Sequence, residues 1–99
     1  MVDVDARILV LTPAPDVLDL ARSLDHGALV LLAAGEELYK WRRRLASFEN
    51  VMVTPGDRNE IPWQTAYFTL IVDPSGEPPT AEMLRVLAPE TGRIVSGLA

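Results

Sequence analysis

Five short strand-like runs, of which Ile8 to Leu11 and Ala28 to Leu32 are uninterruptedly apolar, alternate with segments that are loops or whose apolar residues recur at helical spacing. This alternation constrains the fold more than any other feature. A run with no polar residue at every second position has no face to show to water, so it belongs to a strand covered on both sides. Strands covered on both sides are typically parallel. Parallel neighbours cannot be joined by a tight hairpin and need a crossover of a dozen or so residues, which the helical segments supply. The expected fold is a three-layer α/β sandwich around a mostly parallel five-stranded sheet.

Ile8 to Leu11 is the first run, closed by Thr12-Pro13-Ala14-Pro15. Asp16 follows as an expected helix N-cap, with Val17, Leu20, Ala21 and Leu24 at helical spacing and Gly27 as the stop. Ala28 to Leu32 is the second run. The next helix opens at Glu36 and Glu37, carries Leu38, Trp41, Leu45 and Phe48 on one stripe, and pairs Glu36 with Lys40 at i+4. Its acids at the start and Arg42, Arg43 and Arg44 towards the end suit the helix dipole. Val51 to Thr54 is the third run, halted by Pro55 and Gly56. Residues 57 to 66 show no period and read as a loop with room for one helical turn. Tyr67 to Val72 is the fourth run. Asp73 to Pro79 holds three prolines and a glycine and reads as a loop. Thr80 is the expected N-cap of a helix turning Met83, Leu84 and Leu87 inward. After the turn Pro89 to Gly92, Arg93 to Ser96 is the fifth run, ending at Gly97.

Bulk properties narrow the function classes. The 99 residues suffice for one domain. There is no cysteine, which excludes disulfides and thiolate metal sites and agrees with a cytoplasmic, reducing environment. No apolar stretch nears the roughly 20 residues that span a bilayer, and the start of the chain, with Asp3 and Asp5, is unlike a secretory signal. Nine basic against 14 acidic residues leave a net charge of −5, which disfavours nucleic-acid binding.

Four segments carry a family resemblance. They are Arg7-Ile8-Leu9-Val10-Leu11; Asn50-Val51-Met52-Val53 with Gly56-Asp57 and Ile61-Pro62-Trp63; Tyr67 to Val72; and Leu84-Arg85-Val86-Leu87-Ala88-Pro89 with Gly92-Arg93-Ile94-Val95. In order and spacing these resemble the first five strands of a class I S-adenosylmethionine-dependent methyltransferase, over about nine-tenths of the chain. The resemblance implies a Rossmann-like core of strand order 3-2-1-4-5. It also implies that Asp57 occupies the position of the residue that contacts the cofactor's adenine amino group.

The departures bear on function. The family closes its first strand with an acid and a glycine-rich turn, so that backbone N–H groups reach the cofactor. Here Thr12 to Pro15 contains no glycine, and each of its two prolines lacks an N–H donor. Near Leu32, where a carboxylate would accept from the ribose hydroxyls, the chain reads Leu32-Ala33-Ala34, and Glu36 is the next acid. The family's last two strands have no counterpart here, which would leave strand five as a sheet edge open to pairing with another chain.

Other constellations are weaker. Asp73-Pro74-Ser75 is similar to the start of the "DPPY"-type loop of amino-group methyltransferases, but Gly76 stands where the aromatic residue would be. An ordinary Asp-Pro turn explains it as well. His26, the single histidine, suits a cation at a helix end, and with no cysteine it makes no zinc site. Arg42, Arg43 and Arg44 splay around their helix as a solvated face. Trp41 belongs to the core stripe. For Trp63, beside the expected ligand crevice, core filler, lid and interface anchor remain open. A receiver domain is excluded, because strand one ends without acids and strand five has no lysine.

Two function classes follow. The first is a degenerate, non-catalytic methyltransferase-like domain without cofactor, working through protein contacts as a homodimer or as an accessory subunit joined at its open sheet edge. The second is a minimal methyltransferase that still binds S-adenosylmethionine through Asp57. The crevice in either case lies beyond the carboxyl ends of the strands, lined by Thr12 to Pro15, Ala33, Ala34, Asp57 and Asp73.

Overall fold

The computed structural model describes residues 6–24 and 27–96. Strands β1 (Arg7–Val10), β2 (Ala28–Ala33), β3 (Val51–Pro55), β4 (Leu70–Val72) and β5 (Arg93–Val95) alternate with helices α1 (Asp16–Ser23), α2 (Glu36–Arg44) and α3 (Ala81–Val86). There is no helix between β3 and β4. All four strand pairings are parallel, and the sheet order is β3-β2-β1-β4-β5. This is the expected topology. His26 and the Gly97 stop lie outside the described residues.

Alternate residues of β1, β2, β4 and β5 feed two separate cores, and β3 feeds only the first. Ile8, Val10, Leu29, Leu31 and Val53 pack with Val17 and Ala21 of α1 and with Trp41 of α2. Leu9, Val30, Leu32 and Ile71 pack with Ile61, Phe68 and, from α3, Met83 and Val86. Each such aliphatic side chain stabilises the fold by about 1.5–3 kcal/mol when taken from water. That is why Ile8 to Val10, Leu29 to Ala33 and Leu70 to Val72, in the central strands, are apolar at every position, whereas β3 and β5 admit Thr54 and Arg93. Trp41 is buried, as expected, and donates its Nε1–H to Glu37 Oε2 at 2.9 Å.

Several local expectations are corrected. Asp16 is the first residue of α1 and not its N-cap; Pro15 precedes the helix and no side chain caps it. The backbone suffices, because Val17 and Leu18 donate to the carbonyls of Ala14 and Pro15 at 3.0 and 3.2 Å. Helix α1 ends at Ser23 with Leu24 as C-cap, so Gly27 does not stop it. Gly27, at φ +94°, instead lets the chain pass Ala6, whose carbonyl oxygen would lie 2.2 Å from a Cβ there. Lys40 reaches Glu37 at 4.0 Å, not Glu36. Residues 57–66 contain no helical turn; Asp57 and Glu60 close a tight antiparallel bridge. Strand β4 is half its expected length, because Tyr67 and Phe68 give their N–H groups to Val86 O at the end of α3. Thr80 does cap α3, accepting from Met83 N–H at 3.1 Å. Met83 and Val86 are the buried residues of that helix, whereas Leu84 is 58% exposed.

Candidate ligand crevice

The carboxyl ends of β1, β2, β3 and β4 define one rim, at the topological switch point where ligands of open α/β sheets bind. After β1, Leu11 is buried and donates to Val72 O at 3.2 Å, and Thr12 is exposed. Pro13 and Pro15 have no N–H, so this loop offers the rim only the donors of Thr12 and Ala14. After β2, Ala33 is buried, Ala34 is exposed, and Gly35 turns at φ +59° into α2. No polar side chain stands at that position. Leu32, where the ribose-binding acid would be, is 1% exposed in the second core.

At the end of β3, Gly56 lies close under Glu60 O, Pro62 Cδ and Leu32 Cδ2, which a Cβ would meet at 2.9–3.2 Å. Asp57 is exposed and its Oδ1 accepts from Asn59 N–H at 2.8 Å, the geometry of an Asx turn. The backbones of Asp57 and Glu60 exchange two hydrogen bonds of 3.1 Å.

The end of β4 carries the buried acid. Asp73 is 5% exposed. Its Oδ2 accepts from Arg58 Nη2 at 2.8 Å and Nε at 3.2 Å, and its Oδ1 from Ser75 N–H at 3.2 Å. Arg58 also donates to Glu77 Oε2 at 3.0 Å and to Pro78 O at 2.9 Å. Its own carbonyl accepts from Thr80 Oγ1 at 2.5 Å. One guanidinium thus ties the β3–β4 turn to the β4–α3 loop across the rim. Burial alone would raise the Asp73 carboxyl, but hydrogen bonds from Arg58 and Ser75 outweigh it and hold it below the ordinary carboxylate range. The hydrogen bond to Asp73 in turn raises the Arg58 guanidinium.

Sequence reasoning placed Asp57 and Asp73 on this rim and missed Arg58. The signal available was an acid at the end of a buried strand, which needs a counter-cation. A second ion pair lies farther along. Arg85 donates to Glu82 at 2.6 Å and to the carbonyls of Trp63 and Ile61, both at 2.8 Å, pinning the 61–65 loop to α3. The Arg85 hydrogen bond, then the Ile61 N–H, lowers the Glu82 carboxyl. Trp63 is half-buried, its ring centroid 5.7 Å from Tyr67 and 5.9 Å from Phe68. It packs on the second core and borders an open depression of 610 Å³ with Ile61, Pro62, Gln64, Tyr67 and Arg85. None of those residues belongs to the rim.

Among the described residues no group of three or more His, Asp or Glu could hold a metal, and no buried side-chain nitrogen or oxygen lacks a partner. No described helix is long and apolar enough to cross a membrane.

The sheet edges differ. The register leaves the backbone groups of Val51 and Val53 pointing away from β2. Val51 N–H reaches Phe48 O at 3.4 Å, Val53 O accepts from Arg42 Nε at 3.1 Å, and Pro55 has no N–H. The β3 edge is therefore largely closed. Along β5, Ile94 points its backbone outward, and no described strand pairs with it there.

No protein-family model matches the chain, and no curated protein does. Among solved structures it is similar to a SAM-dependent methyltransferase from Aquifex aeolicus. The TM-score is 0.65 at 21% identity, covering 88% of this chain and 53% of that one. It is also similar to the YcgJ protein from Bacillus subtilis, at TM-score 0.52 and 17% identity, over 70% of this chain and 31% of that one. The chain spans about half the length of the first and a third of the second. The shared feature is the fold: this is a methyltransferase-like, Rossmann-like α/β core.

Proposed function

We propose that this methyltransferase-like domain is non-catalytic and acts through protein contacts, as a homodimer or as an accessory subunit. One observation carries the reading: Asp73, the buried acid at the carboxyl ends of the strands, is spent on Arg58. Arg58 neutralises Asp73 and is itself held by Glu77 and Pro78. The residues present fit S-adenosylmethionine poorly. The loop after β1 has no glycine and two prolines, and no carboxylate stands at the end of β2 to take a ribose hydroxyl. The outward backbone of Ile94 on β5 is one surface available to an accessory partner.

The test is thermal unfolding with and without millimolar S-adenosylmethionine or S-adenosylhomocysteine. A ligand at about 100 times its dissociation constant stabilises by roughly 2.7 kcal/mol, and each kcal/mol moves the midpoint of such a domain by about 4–8 °C. The expected result is no shift with either ligand. A shift of that size would overturn the proposal in favour of a minimal methyltransferase. The exposed carboxylate of Asp57 at the end of β3 favours that second reading, and Asp57→Ala would then abolish the shift.

A further inference from the structure

The outward face of α2 is complementary to itself. Leu38, Trp41 and Leu45 turn one side of this helix into the core. At 3.6 residues per turn the opposite side carries Glu36, Tyr39, Lys40 and Arg43. All four are exposed, and Tyr39, at 62%, is the most exposed large hydrophobic residue among those described. Charge is segregated along the helix: Glu36 and Glu37 fill the first turn, and Arg42, Arg43 and Arg44 the last. Four of these groups are committed within the chain. Glu37 holds Trp41 and Lys40, Arg42 holds Val53 O, and Arg44 stacks over the Trp41 ring at 5.2 Å. Glu36 and Arg43 make no ion pair or side-chain hydrogen bond among the described residues.

A helix with acid at one end, base at the other and an exposed aromatic ring between them matches a second copy run in the opposite direction. With a two-fold axis passing between Tyr39 and Lys40, Glu36 faces Arg43 of the second copy and Arg43 faces its Glu36. The two Tyr39 rings then meet near the axis. Such a contact is isologous and closes on itself. We propose that a second copy of this chain docks antiparallel along α2, held by two reciprocal Glu36–Arg43 pairs around Tyr39. The inference rests on the protein-contact reading. It places the homodimer on the helical layer and leaves the β5 edge to other partners. A nine-residue helix is about 13.5 Å long, so the interface lies at the small end of the range and the association is weak and salt-sensitive.

The experiment is sedimentation velocity on the full chain, at low salt and up to about 1 mM protein, the regime of small interfaces. Wild type should self-associate. Arg43→Glu and Glu36→Arg should each weaken association by about tenfold, since each turns two attractive pairs into repulsive ones. The reversed double variant, Glu36→Arg with Arg43→Glu, should associate again. An equimolar mixture of the two single variants should also associate, because each supplies what the other lacks. Recovery on mixing shows that the single variants are folded. A wild type that stays monomeric throughout, an association that survives both single reversals, or a mixture that fails to recover would overturn the proposal. A thermal shift with S-adenosylmethionine would instead overturn the non-catalytic reading and leave this result standing.

Discussion

Asp73 is a carboxylate taken almost fully out of water, and such a group stays ionised only with donors around it. Its folded pKa lies below the ordinary value of about 3.9. The folded state therefore binds fewer protons than the unfolded chain as pH falls past that value. The stabilisation is complete above about pH 5 and is lost as pH drops through the lowered pKa. Glu82 shifts in the same direction but is more exposed, so its share is smaller. The thermal midpoint should be flat from neutral pH to about pH 5 and fall below about pH 4. Asp73→Asn should flatten that fall, and an unchanged slope would assign it to other carboxylates. The glycines make a second contrast at this scale. Gly27 and Gly35 both have positive φ, yet a Cβ at Gly27 meets the Ala6 carbonyl while one at Gly35 meets nothing within 4 Å. Gly35→Ala should cost about 1–3 kcal/mol, because φ +59° with ψ −136° is a backbone conformation that an L side chain disfavours. Gly27→Ala should cost more still, because the Ala6 carbonyl must also move. Urea unfolding of the two variants measures the difference.

At the scale of elements, α3 shows where periodicity misleads. Met83, Leu84 and Leu87 fit an inward stripe, but a helix of six residues has less than two turns in which to define its face. Its phase is set from outside, by the Thr80 cap, by Arg85 pinned to the 61–65 loop, and by Tyr67 and Phe68 bonded to Val86 O. Those contacts put Met83 and Val86 against the sheet and leave Leu84 in solvent. Met83→Ala should cost about 2–5 kcal/mol, and Leu84→Ala less than about 0.5 kcal/mol. Denaturant midpoints with equal slopes would verify both, and equal costs would restore the stripe read from the sequence. The same bonds explain why β4 is short: the first residues of its apolar run are claimed by α3 before they can join the ladder.

Across the whole molecule, one sheet with a core on each face accounts for the composition. The face of Ile8, Val10, Leu29 and Leu31 is covered by α1 and α2. The face of Leu9, Val30, Leu32 and Ile71 is covered by α3 and the loop containing Ile61 and Phe68. Arg58 and Arg85 tie that loop to the β4–α3 segment in place of a helix between β3 and β4. The cation that closes the candidate crevice is thus also part of what holds the second layer together. This is a structural reason for Arg58 and Asp73 to be committed to one another.

The sequence by itself determined the layers and the order of the elements. Burial on both faces demands apolar residues through the central strands β1, β2 and β4, and parallel pairing demands a helical or loop crossover after each strand, so the pattern is local and repeated. The register of the four family-like segments added the strand order. Only the tertiary structure decided which polar groups meet at the sheet's carboxyl edge. Arg58 and Asp73 lie 15 residues apart, and no periodicity links them. Their pairing exists because the β3–β4 connection brings Arg58 to the end of β4, although β2 and β1 separate the two strands in the sheet, and there a carboxylate shielded from water requires a cation within reach.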